Sequence, residues 1–575
     1  MTNVVLGPIL RYADDTSATV WLELDEACTV EVLGSAVDTF QVGGHHYALV
    51  TIRDLQPGTS TPYDVRVDGA LVWPAPADTH PPSRIRTVAR GTRARLLFGS
   101  CRFGPTEDAA RRRALGPDAL ESCARRLMDM PERDWPDAML FLGDQVYADQ
   151  PAPQVRREIA ERRDLREPPG EEIADFEEYT ALYRYGWSDP LVRWLLSTVP
   201  SMMIFDDHDV RDDWNTSLEW RTAMAAEPWW RERLLGGLIS YWVYQHIGNL
   251  GPDDLDKDPT YLAVLAAGRT GDALPVLREF AAAADTELRA PEAGRGHGPS
   301  GPRGRYKNMR WSYRRDLGSL RLIVLDTRAG RILEGGDRAM LSDTDFEWLR
   351  DQLRVDADAI GHEPPPPVLS GDADSPVRSG ADEHVVVASS LPWLLPHAVH
   401  HLQSWNELAC SERGRWPKLA ERIRQVGDLE HWAAFRDSFD RLTGLLRAAA
   451  DRPRTASVSV LSGDVHHSYL AAAEFTPPSR SRVVQVTCSP LHNATPPHLT
   501  VPLRFAWSRP LAAVLRRLAG RAGVPSVPLG WSKSAGPYFG NMVGLLDTDG
   551  EHATVSLQRA DDDGGLTTVS RSRLS

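Results

Sequence analysis

The segment ARLLFGSC (94–101) is a short, almost fully apolar run that ends at a cysteine. Runs of this kind, bounded by polar residues, are typical of strands that are covered on both faces. Helical stretches lie between them, so we predict an α/β architecture with helices packed on buried sheets. Five similar runs follow along the chain: DAMLFLGD (137–144), SMMIFDD (201–207), LRLIVLD (320–326), HVVVASS (384–390) and VSVLSGD (458–464).

The spacing of apolar residues between these runs predicts several helices. The segment 541–558 instead predicts a β-hairpin with its turn at 547–550. Two stretches rich in alanine, glycine, proline and small polar residues, 281–304 and 361–383, are typical of inserted surface loops. The helices are expected at 118–130, at 171–199 with an interruption near Gly186 and Pro190, at 343–355 and at 431–450.

The first 90 residues have a different pattern and predict a separate β module. Apolar and polar residues alternate in four short segments that are separated by turn residues, which is typical of a β-sandwich of the fibronectin or immunoglobulin kind. We therefore expect two domains, 1–90 and 91–575, and we expect the first to act as a spacer or lid. The four segments are 17–24, 28–34, 46–52 and 63–69.

Composition narrows the class of protein. Hydrophobic residues make up 42% and charged residues 25% of the 575 positions, which is ordinary for a globular protein with a core. The net charge of −14 argues against general binding of nucleic acid, because an acidic surface repels a phosphate backbone. No segment approaches the roughly 18 consecutive apolar residues of a membrane helix. The N-terminus has no signal-peptide pattern, so we expect a cytoplasmic protein.

The five cysteines are widely spaced and include no CxxC pair. This spacing argues against a disulfide framework and against a structural zinc finger. The sequence also lacks a GxSxG elbow, an HExxH helix and a GxxxxGK[ST] loop. Catalysis by a serine, histidine and aspartate therefore has no locally supported nucleophile.

Metal-binding residue types follow four of the predicted strands. In open α/β sheets, ligands gather at the carboxyl ends of the strands, so these side chains are expected at one edge. Carboxylates, imidazoles and one thiolate together suit an iron-like or zinc-like ion beside a harder divalent ion. The residues are Cys101 in FGSCRF, Asp144 and Tyr147 in FLGDQVYAD, Asp206 to Asp209 with His208 in IFDDHDVRDDWN, and Asp464, His466 and His467 in LSGDVHHS.

Each of these residues has a simpler interpretation when it is taken alone. Asp144 could cap a helix, Cys101 could be a small buried apolar residue, and Tyr147 could serve packing. The acidic group 206–209 is harder to explain without a cation, because adjacent carboxylates after a buried strand repel one another. A helix N-terminus could offset part of that charge. The combination of all four motifs favours a metal site.

In these motifs the chain resembles the alkaline phosphatase D (PhoD-like) family of metallophosphatases. The similarity extends over most of the chain, in both order and motif: SCRF, GDQVYAD, DDHDV, LDTR (325–328) and SGDVH follow a β-sandwich module. Other calcineurin-like phosphoesterases begin with a DxH motif, where Cys101 stands here. Tyr147 likewise replaces the second aspartate of their GDxxD motif, so the resemblance is to the PhoD-like branch.

The resemblance implies a four-layer α/β/β/α metallophosphoesterase core that follows an N-terminal β-sandwich domain. It also implies the hydrolysis of phosphomonoesters, phosphodiesters or both. Two metal ions are implied, Fe³⁺ and Ca²⁺, with Zn²⁺, Mn²⁺ or Mg²⁺ as alternatives. The ligands carried over from the motifs are Cys101, Tyr147 and His466 for the iron-like ion, Asp144 as the bridge, and Asp207, Asp464 and Asn215 for the second ion.

For the mechanism we expect a metal-activated water to attack phosphorus, with no covalent enzyme intermediate. His208 is expected to protonate the leaving oxygen, because an imidazole suits proton transfer near neutral pH. Arg328 could contact the phosphate or pair with a carboxylate. The expected partner is a small phosphate ester rather than nucleic acid, and the oligomeric state is left open.

Two other functions stay open. The chain could be a catalytically idle binding module, because some of its 18 tryptophans, among them Trp229, Trp230, Trp242, Trp393 and Trp405, could line a partner or glycan surface. It could also be a phospholipase-D-like diesterase that acts on lipid headgroups, which the family resemblance permits. The family's secreted members typically carry a twin-arginine export signal, and this sequence shows none.

Overall fold

The computed structural model describes residues 2–75, 79–287, 310–334, 338–355, 383–410, 417–493, 495 and 497–575. The inserted loops predicted at 281–304 and 361–383 lie mostly outside these residues; residues 281–287 end a helix, and residue 383 begins a strand. The described residues confirm the predicted fold class, a four-layer α/β/β/α core preceded by a β-sandwich. None of their helices has the length and hydropathy that crossing a membrane would need.

The N-terminal module consists of short antiparallel strands. Two four-stranded sheets, in the orders β1-β2-β6-β5 and β4-β3-β8-β9, enclose an apolar core that includes Leu10, Val20 and Val30. The strands are β1 (Val4–Ala13), β2 (Ala18–Leu24), β3 (Thr29–Val32), β4 (Ser35–Asp38), β5 (Phe40–Val42), β6 (His45–Ile52), β7 (Ser60–Pro62), β8 (Val65–Val67), β9 (Ala70–Trp73) and β10 (Arg84–Arg86).

The remaining strands form the two sheets of the core. The six-stranded sheet has the order β13-β12-β11-β21-β22-β23, and the seven-stranded sheet has the order β14-β15-β16-β17-β19-β18-β20. The strands are β11 (Ala94–Gly99), β12 (Ala138–Leu142), β13 (Ser201–Ile204), β14 (Tyr313–Leu317), β15 (Leu320–Leu325), β16 (Glu383–Ser389), β17 (Thr455–Ser462), β18 (Ser468–Glu474), β19 (Val483–Thr487), β20 (Gly530–Tyr538), β21 (Met542–Asp549), β22 (His552–Ala560) and β23 (Leu566–Arg573).

Helices cover the outer faces of these sheets and connect their strands. They are α1 (Ala109–Leu115), α2 (Ala119–Asp129), α3 (Pro153–Arg162), α4 (Phe176–Trp187), α5 (Pro190–Thr198), α6 (Leu218–Ala225), α7 (Trp230–Ser240), α8 (Pro252–Leu255), α9 (Pro259–Gly268), α10 (Leu274–Glu287), α11 (Asp343–Leu353), α12 (His397–Cys410), α13 (Pro417–Val426), α14 (Arg436–Asp451), α15 (Pro497–Phe505) and α16 (Arg509–Ala522).

The six apolar runs of the sequence become strands of the two sheets; five of them are interior strands and β13 is at the edge of its sheet. Strands β11, β12 and β13 pair in parallel, as do β15, β16, β17 and β19. Strand β16 shows why such runs are apolar throughout. Its Val385 and Val387 pack in a cluster with Phe439 of α14, whereas Val386 and Ala388 pack in the cluster that contains the six-stranded sheet. Both faces are therefore buried.

The N-terminal module is anchored to the core by buried polar contacts. The fully buried guanidinium group of Arg11 donates hydrogen bonds to the backbone carbonyls of Ser201 (3.1 Å), Tyr244 (2.5 Å) and Gln245 (2.6 Å). Ser201 begins β13, whose carboxyl end carries the acidic group 206–209. The module is thus packed directly against a strand that leads to the candidate site.

A second anchor is a histidine between two carboxylates. The ring of His45 lies 3.0 Å from Glu23 within the module and 2.9 Å from Glu177 on α4. Burial alone would lower the pKa of His45, but its hydrogen bonds with Glu177 and Glu23 raise the pKa from 6.5 to about 9. The charged imidazole therefore links the module to the core.

We predict that His45→Gln destabilises the protein in a pH-dependent way. Because the folded-state pKa is raised, the stabilisation by His45 is complete below pH 6.5 and is lost as the pH rises through about 9. The expected loss is about 1 to 3 kcal/mol at pH 6 and close to zero at pH 10, measured by urea unfolding. The neighbouring change His46→Gln is the control, and an equal loss at both pH values would contradict the assignment.

Candidate metal centre

The carboxyl ends of strands from both sheets meet at one edge of the core. Cys101 follows β11, Asp144 follows β12 and Asp464 follows β17. The Cys101 Sγ atom lies 3.3 Å from Asp144 Oδ2 and 3.6 Å from the backbone carbonyl oxygen of Asp464. Residues more than 360 positions apart in the sequence are therefore in direct contact, as the pattern of strand ends predicted.

Two glycines allow the strand ends to approach this closely. A Cβ atom at Gly463, just after β17, would overlap Ser100 Oγ, just after β11. A Cβ atom at Gly143 would overlap the Cβ of Asp206, and Gly143 also has a positive φ of +93°. A side chain at either position would push the metal-binding turns apart.

The turns themselves have an unusual backbone conformation. Five of the seven residues predicted as metal ligands have a positive φ, which costs free energy for residues other than glycine. Residues held in this region cluster at functional sites, where the surrounding structure imposes the conformation. These residues are Cys101 (+58°), Asp144 (+53°), Asn215 (+60°), Asp464 (+65°) and His466 (+49°).

Asp209 holds two of these turns in place. Its buried carboxylate accepts hydrogen bonds from the backbone N–H groups of Asp144 and Asp206, both at 2.9 Å. The side chain of Gln245 donates a third hydrogen bond at 3.1 Å. Burial raises the pKa of Asp209 to about 7. This aspartate of the acidic group is therefore a positioning residue, which joins the ends of β12 and β13.

Four carboxylates converge at the centre of the site. Asp144, Asp206, Asp207 and Asp464 each offer one oxygen, and these atoms all lie within 4.8 Å of one another. Asp144 and Asp207 form a second group of this kind with His208. Burial, together with neighbouring carboxylates, raises the pKa of Asp144 well above its ordinary value. So much buried negative charge needs a compensating cation.

The hydrogen bonding of these carboxylates leaves room for cations. Asp144 Oδ1, Asp206 Oδ2 and Asp207 Oδ1 are buried, and none has a hydrogen-bond partner among the described residues. Asp207 Oδ1 does form an ion pair with Arg328 at 3.3 Å. Buried polar atoms are almost always paired, so the other two oxygens, Asp144 Oδ1 and Asp206 Oδ2, require an explanation. Oxygen atoms of this kind are the ligands that hard divalent and trivalent ions take. The cluster therefore fits a metal site.

A thiol and a phenol border the cluster on the side of Asp144. Cys101 is buried, and its Sγ atom also lies 3.4 Å from Ser489 Oγ. The Tyr147 hydroxyl accepts a hydrogen bond of 2.9 Å from the side chain of Asn493. Burial raises the pKa of Tyr147, and the nearby Cys101 and Asp144 raise it further. These soft and anionic ligand types suit a different ion from the carboxylate side.

The other two predicted ligands lie at the border of the cluster. Burial lowers the pKa of His466 to about 4, and the same pKa responds to the charges of Asp464 and His208. The side-chain amide of Asn215 donates a hydrogen bond of 3.2 Å to the backbone carbonyl of Arg328. The structure thus brings His466 and Asn215 to the site, but neither is part of the four-carboxylate group.

Arg328 is buried among carboxylates and does not lie where it could contact a substrate. Its guanidinium group is fully buried and forms ion pairs with Asp206, with Asp207 at 3.3 Å and with Glu430. The sequence left open whether this residue contacts phosphate or a carboxylate. The geometry supports the ion pair, because three carboxylates surround a side chain that has no exposure. Arg328 therefore offsets part of the negative charge beneath the cluster.

Three further residues of the site were not predicted. Asp149 lies 2.9 Å from Nδ1 of His208, and His431 lies 2.8 Å from Oδ2 of Asp464 through its Nε2 atom. Glu430 pairs with Arg328. Asp149 closes the motif FLGDQVYAD and could have been identified from it. Glu430 and His431 lie in a loop before α14, and no motif marks them.

His208 is held between Asp149 and Tyr147. Its ring lies 4.7 Å, between centroids, from the ring of Tyr147. Burial lowers the pKa of His208, but the charges of Asp149 and Asp207 outweigh burial and raise the pKa well above its ordinary value. Since Nδ1 is bound to Asp149, Nε2 is the nitrogen that remains for proton transfer.

We predict that Arg328→Met destabilises the fold. The change leaves Asp206 buried without its cation, while Glu430 keeps its ion pair with Arg331 at 3.1 Å; stranding one buried charge typically costs about 3 to 5 kcal/mol. Thermal and urea unfolding measure this loss. Arg350→Met is the control, because Arg350 pairs with Asp351 at the exposed surface of α11. A variant of Arg328 with normal stability and a raised KM would instead support a contact with substrate.

Two facing sheets with a carboxylate cluster at the carboxyl ends of their strands define the calcineurin-like metallophosphoesterase class of fold. Residues 123–251 match the model of the PhoD-like phosphatase family, which confirms the resemblance found in the motifs. The match includes Asp144, Tyr147, Asp207 and Asn215. Residues 1–85 match a second model, described as a domain of unknown function (DUF7800).

One solved structure supports the fold, and a second is a weaker match. A chain described as the structure of PhoD superimposes with a TM-score of 0.53 at 12% identity, and the alignment covers 98% of this chain and 92% of that one. Purple acid phosphatase PPD1 from yellow lupin (Lupinus luteus) seeds aligns with a TM-score of 0.44 at 10% identity, over 98% of this chain and 73% of that one. No curated protein sequence matches the chain significantly.

Proposed function

We propose that this protein is a metal-dependent phosphoesterase that hydrolyses phosphomonoesters, phosphodiesters or both. The observation that carries the proposal is the group of four carboxylates, three of them buried, at the carboxyl edge of the two sheets. Two of its oxygen atoms, Asp144 Oδ1 and Asp206 Oδ2, have neither a hydrogen bond nor an ion pair among the described residues. The match of residues 123–251 to PhoD-like phosphatases supports phosphate esters as the substrate class. The experiment that tests both is metal analysis combined with turnover of aryl phosphates.

We assign the metal ligands to two neighbouring sites. The contact between Cys101 and Asp144 supports one site with thiol, phenol and carboxylate ligands, and the carboxylate group supports a second site with oxygen ligands. By resemblance the first ion is Fe³⁺ and the second is Ca²⁺, with Zn²⁺, Mn²⁺ or Mg²⁺ as alternatives. The ligands are Cys101, Tyr147 and His466 for the first site, Asp144 between the sites, and Asp207, Asp464 and Asn215 for the second.

When bound, the two cations would neutralise charge on the phosphate oxygens and lower the pKa of the attacking water. The protein's own contribution begins with Asp149, which holds Nδ1 of His208 at 2.9 Å and so orients its ring. Nε2 of His208 can then donate a proton to the leaving oxygen. His431, whose Nε2 lies 2.8 Å from Oδ2 of Asp464, orients that carboxylate.

The alternative of an idle, tryptophan-lined binding module finds little support in the structure. Trp230, Trp242 and Trp393 are buried to 3% exposure or less, so they serve packing. Trp229 is half-buried and packs edge-on against Trp230. The described tryptophans therefore do not form the exposed surface that binding would need.

We predict that Asp144→Asn removes both metal binding and turnover. Asp144 belongs to both carboxylate groups, so its loss affects each site, and kcat should fall by about a thousandfold or more. Elemental analysis of protein purified without chelator, together with turnover of a mono-aryl and a bis-aryl phosphate, measures the two effects. The control Asp351→Asn changes an exposed aspartate on α11. A variant of Asp144 that keeps both properties would refute the bridging role.

We predict that His208→Ala retains metal and loses rate. Loss of a general acid typically costs about 10² to 10⁴ in kcat, and the cost grows as the leaving group becomes a poorer one. A series of aryl phosphates with different leaving-group pKa values measures this slope. Asp149→Asn should also lower kcat, but by a smaller factor, because it removes only the carboxylate that orients the imidazole of His208. Loss of metal from His208→Ala would identify His208 as a ligand instead.

A further inference from the structure

Large apolar side chains are exposed mainly on one group of helices. Of the thirteen such residues in the described part of the chain, nine lie on α12, α13, α15 and α16. Helix α12 packs against both α13 and α16, and the backbone N–H of Ala398 on α12 donates to the carbonyl of Ala506 just after α15 at 3.1 Å. We call the outer side of these four helices the helical surface.

Helix α16 buries two alanines and exposes three of its large apolar residues. Ala512 and Ala519 are buried, whereas Leu511, Val514 and Leu518 are 41% to 51% exposed. The three exposed residues are spaced at i, i+3 and i+7, so they form one stripe along the helix. A helix that served only the core would turn this stripe inward. The stripe on α16 therefore faces outward without a partner in the described structure.

Helix α13 has the same reversed arrangement on the other side of α12. Ala420 and the ion pair between Glu421 and Arg424 are buried. Leu419, Ile423 and Val426, again at i, i+4 and i+7, are 50%, 38% and 81% exposed. On α15, Val501 and Phe505 are also exposed, at 56% and 64%. The reversal is thus shared by two helices, α13 and α16, that each pack against α12.

Cations accompany the exposed apolar residues. Helices α15 and α16 contain five exposed arginines and no acidic residue: Arg504, Arg509, Arg516, Arg517 and Arg521. None of the five forms an ion pair within the described part of the chain, and the same is true of Lys418 and Arg422 on α13. The acidic residues of α12 and α13 are Glu407 and Glu421, and both are paired with arginines. The helical surface is therefore basic in a chain whose net charge is −14.

We propose that the helical surface docks on an anionic phospholipid bilayer. Helices with exposed aliphatic and aromatic residues flanked by arginines insert their apolar side at the level of the headgroups, and the cations pair with anionic lipid. Unpaired arginines in an acidic protein give the charge complementarity that this binding requires. The proposal stands independently of hydrolysis, since it concerns binding alone.

Docking there would hold the candidate metal centre close to the bilayer. On its inner side, α12 contributes Gln403, whose side chain lies 2.9 Å from His431, and His431 contacts Asp464. Leu402, the preceding residue, is exposed on the outer side of the same helix. One helix thus separates the helical surface from a predicted metal ligand.

The test is binding of the full chain to lipid vesicles. We expect cosedimentation with vesicles that contain phosphatidylglycerol, at least a tenfold weakening when the salt concentration is raised from about 0.05 to 0.5 M, and no binding to pure phosphatidylcholine. The triple variant Leu511→Glu, Val514→Glu and Leu518→Glu should lose binding. Leu262→Glu on α9, where the leucine is 47% exposed, is the matched control and should bind normally.

A second pair of variants tests how much the arginines contribute to vesicle binding. Arg516→Glu combined with Arg517→Glu should weaken binding to phosphatidylglycerol vesicles at least tenfold, whereas Arg231→Glu, an exposed arginine on α7, should leave it unchanged. Turnover of a soluble aryl phosphate should be the same in all these variants. That result separates failure of docking from failure of the proposed phosphoesterase function.

Hydrogen–deuterium exchange on the wild-type protein gives a test that needs no variant. Vesicles containing phosphatidylglycerol should protect residues 417–426 and 497–522 and leave residues 2–75 unaffected. Absence of binding to these vesicles at low salt would overturn the proposal, as would equal binding by the triple variant. A wild-type dimer that the triple variant converts to monomer, without vesicle binding, would also overturn it and assign the surface to a second copy.

Discussion

Electrostatic repulsion among buried carboxylates is the constraint on which the rest of this structure depends. Four aspartates, three buried and Asp464 partly exposed, have oxygen atoms within 4.8 Å of one another, and they cannot all stay charged without compensation. Arg328 supplies one positive charge from below, and Glu430 in turn orients Arg328. Bound cations would neutralise the remaining negative charge, which lies next to Cys101 and Tyr147. The side chains of the protein thus neutralise only part of the negative charge of the four aspartates.

The left-handed backbone turns at the metal-binding residues cost free energy, and the packing of the sheets offsets this cost. Left-handed turns at Cys101, Asp144 and Asp464 would relax in a flexible loop. Each of them directly follows a strand that is buried on both faces, and Asp209 ties two turns together through backbone N–H groups. The rigid parallel strands therefore determine the positions of the donor atoms, as expected for a site that must be organised before its ligands arrive.

The sequence predicted the strands and the ligands that follow them, because both depend on local patterns. Apolar runs specify buried strands, and Asp144 or Asp464 directly after a run lies at the strand end by chain connectivity alone. Contacts between distant segments were not predictable in this way. Arg328 pairs with Asp206 and Glu430 at separations of 122 and 102 residues, and no local pattern distinguishes such a pair from a contact with phosphate. His431 contacts Asp464 from the loop before α14; the sequence pattern predicted a helix from residue 431, but the helix begins at Arg436.

The orientation of α13 and α16 was also not predictable from the sequence, for a different reason. An amphipathic pattern in α13 or α16 identifies an apolar stripe, but it does not determine whether that stripe faces the core or the solvent. In the structure, Ala512 and Ala420 allow close packing toward α12 because they are small, so the larger residues are left outside. On α12 itself, Gln403 is buried against His431, which lies before α14, and Leu402 is exposed. The exposed stripes of α13 and α16 and the contact with His431 therefore depend on how helices pack against α12, which the pattern within a single helix does not contain.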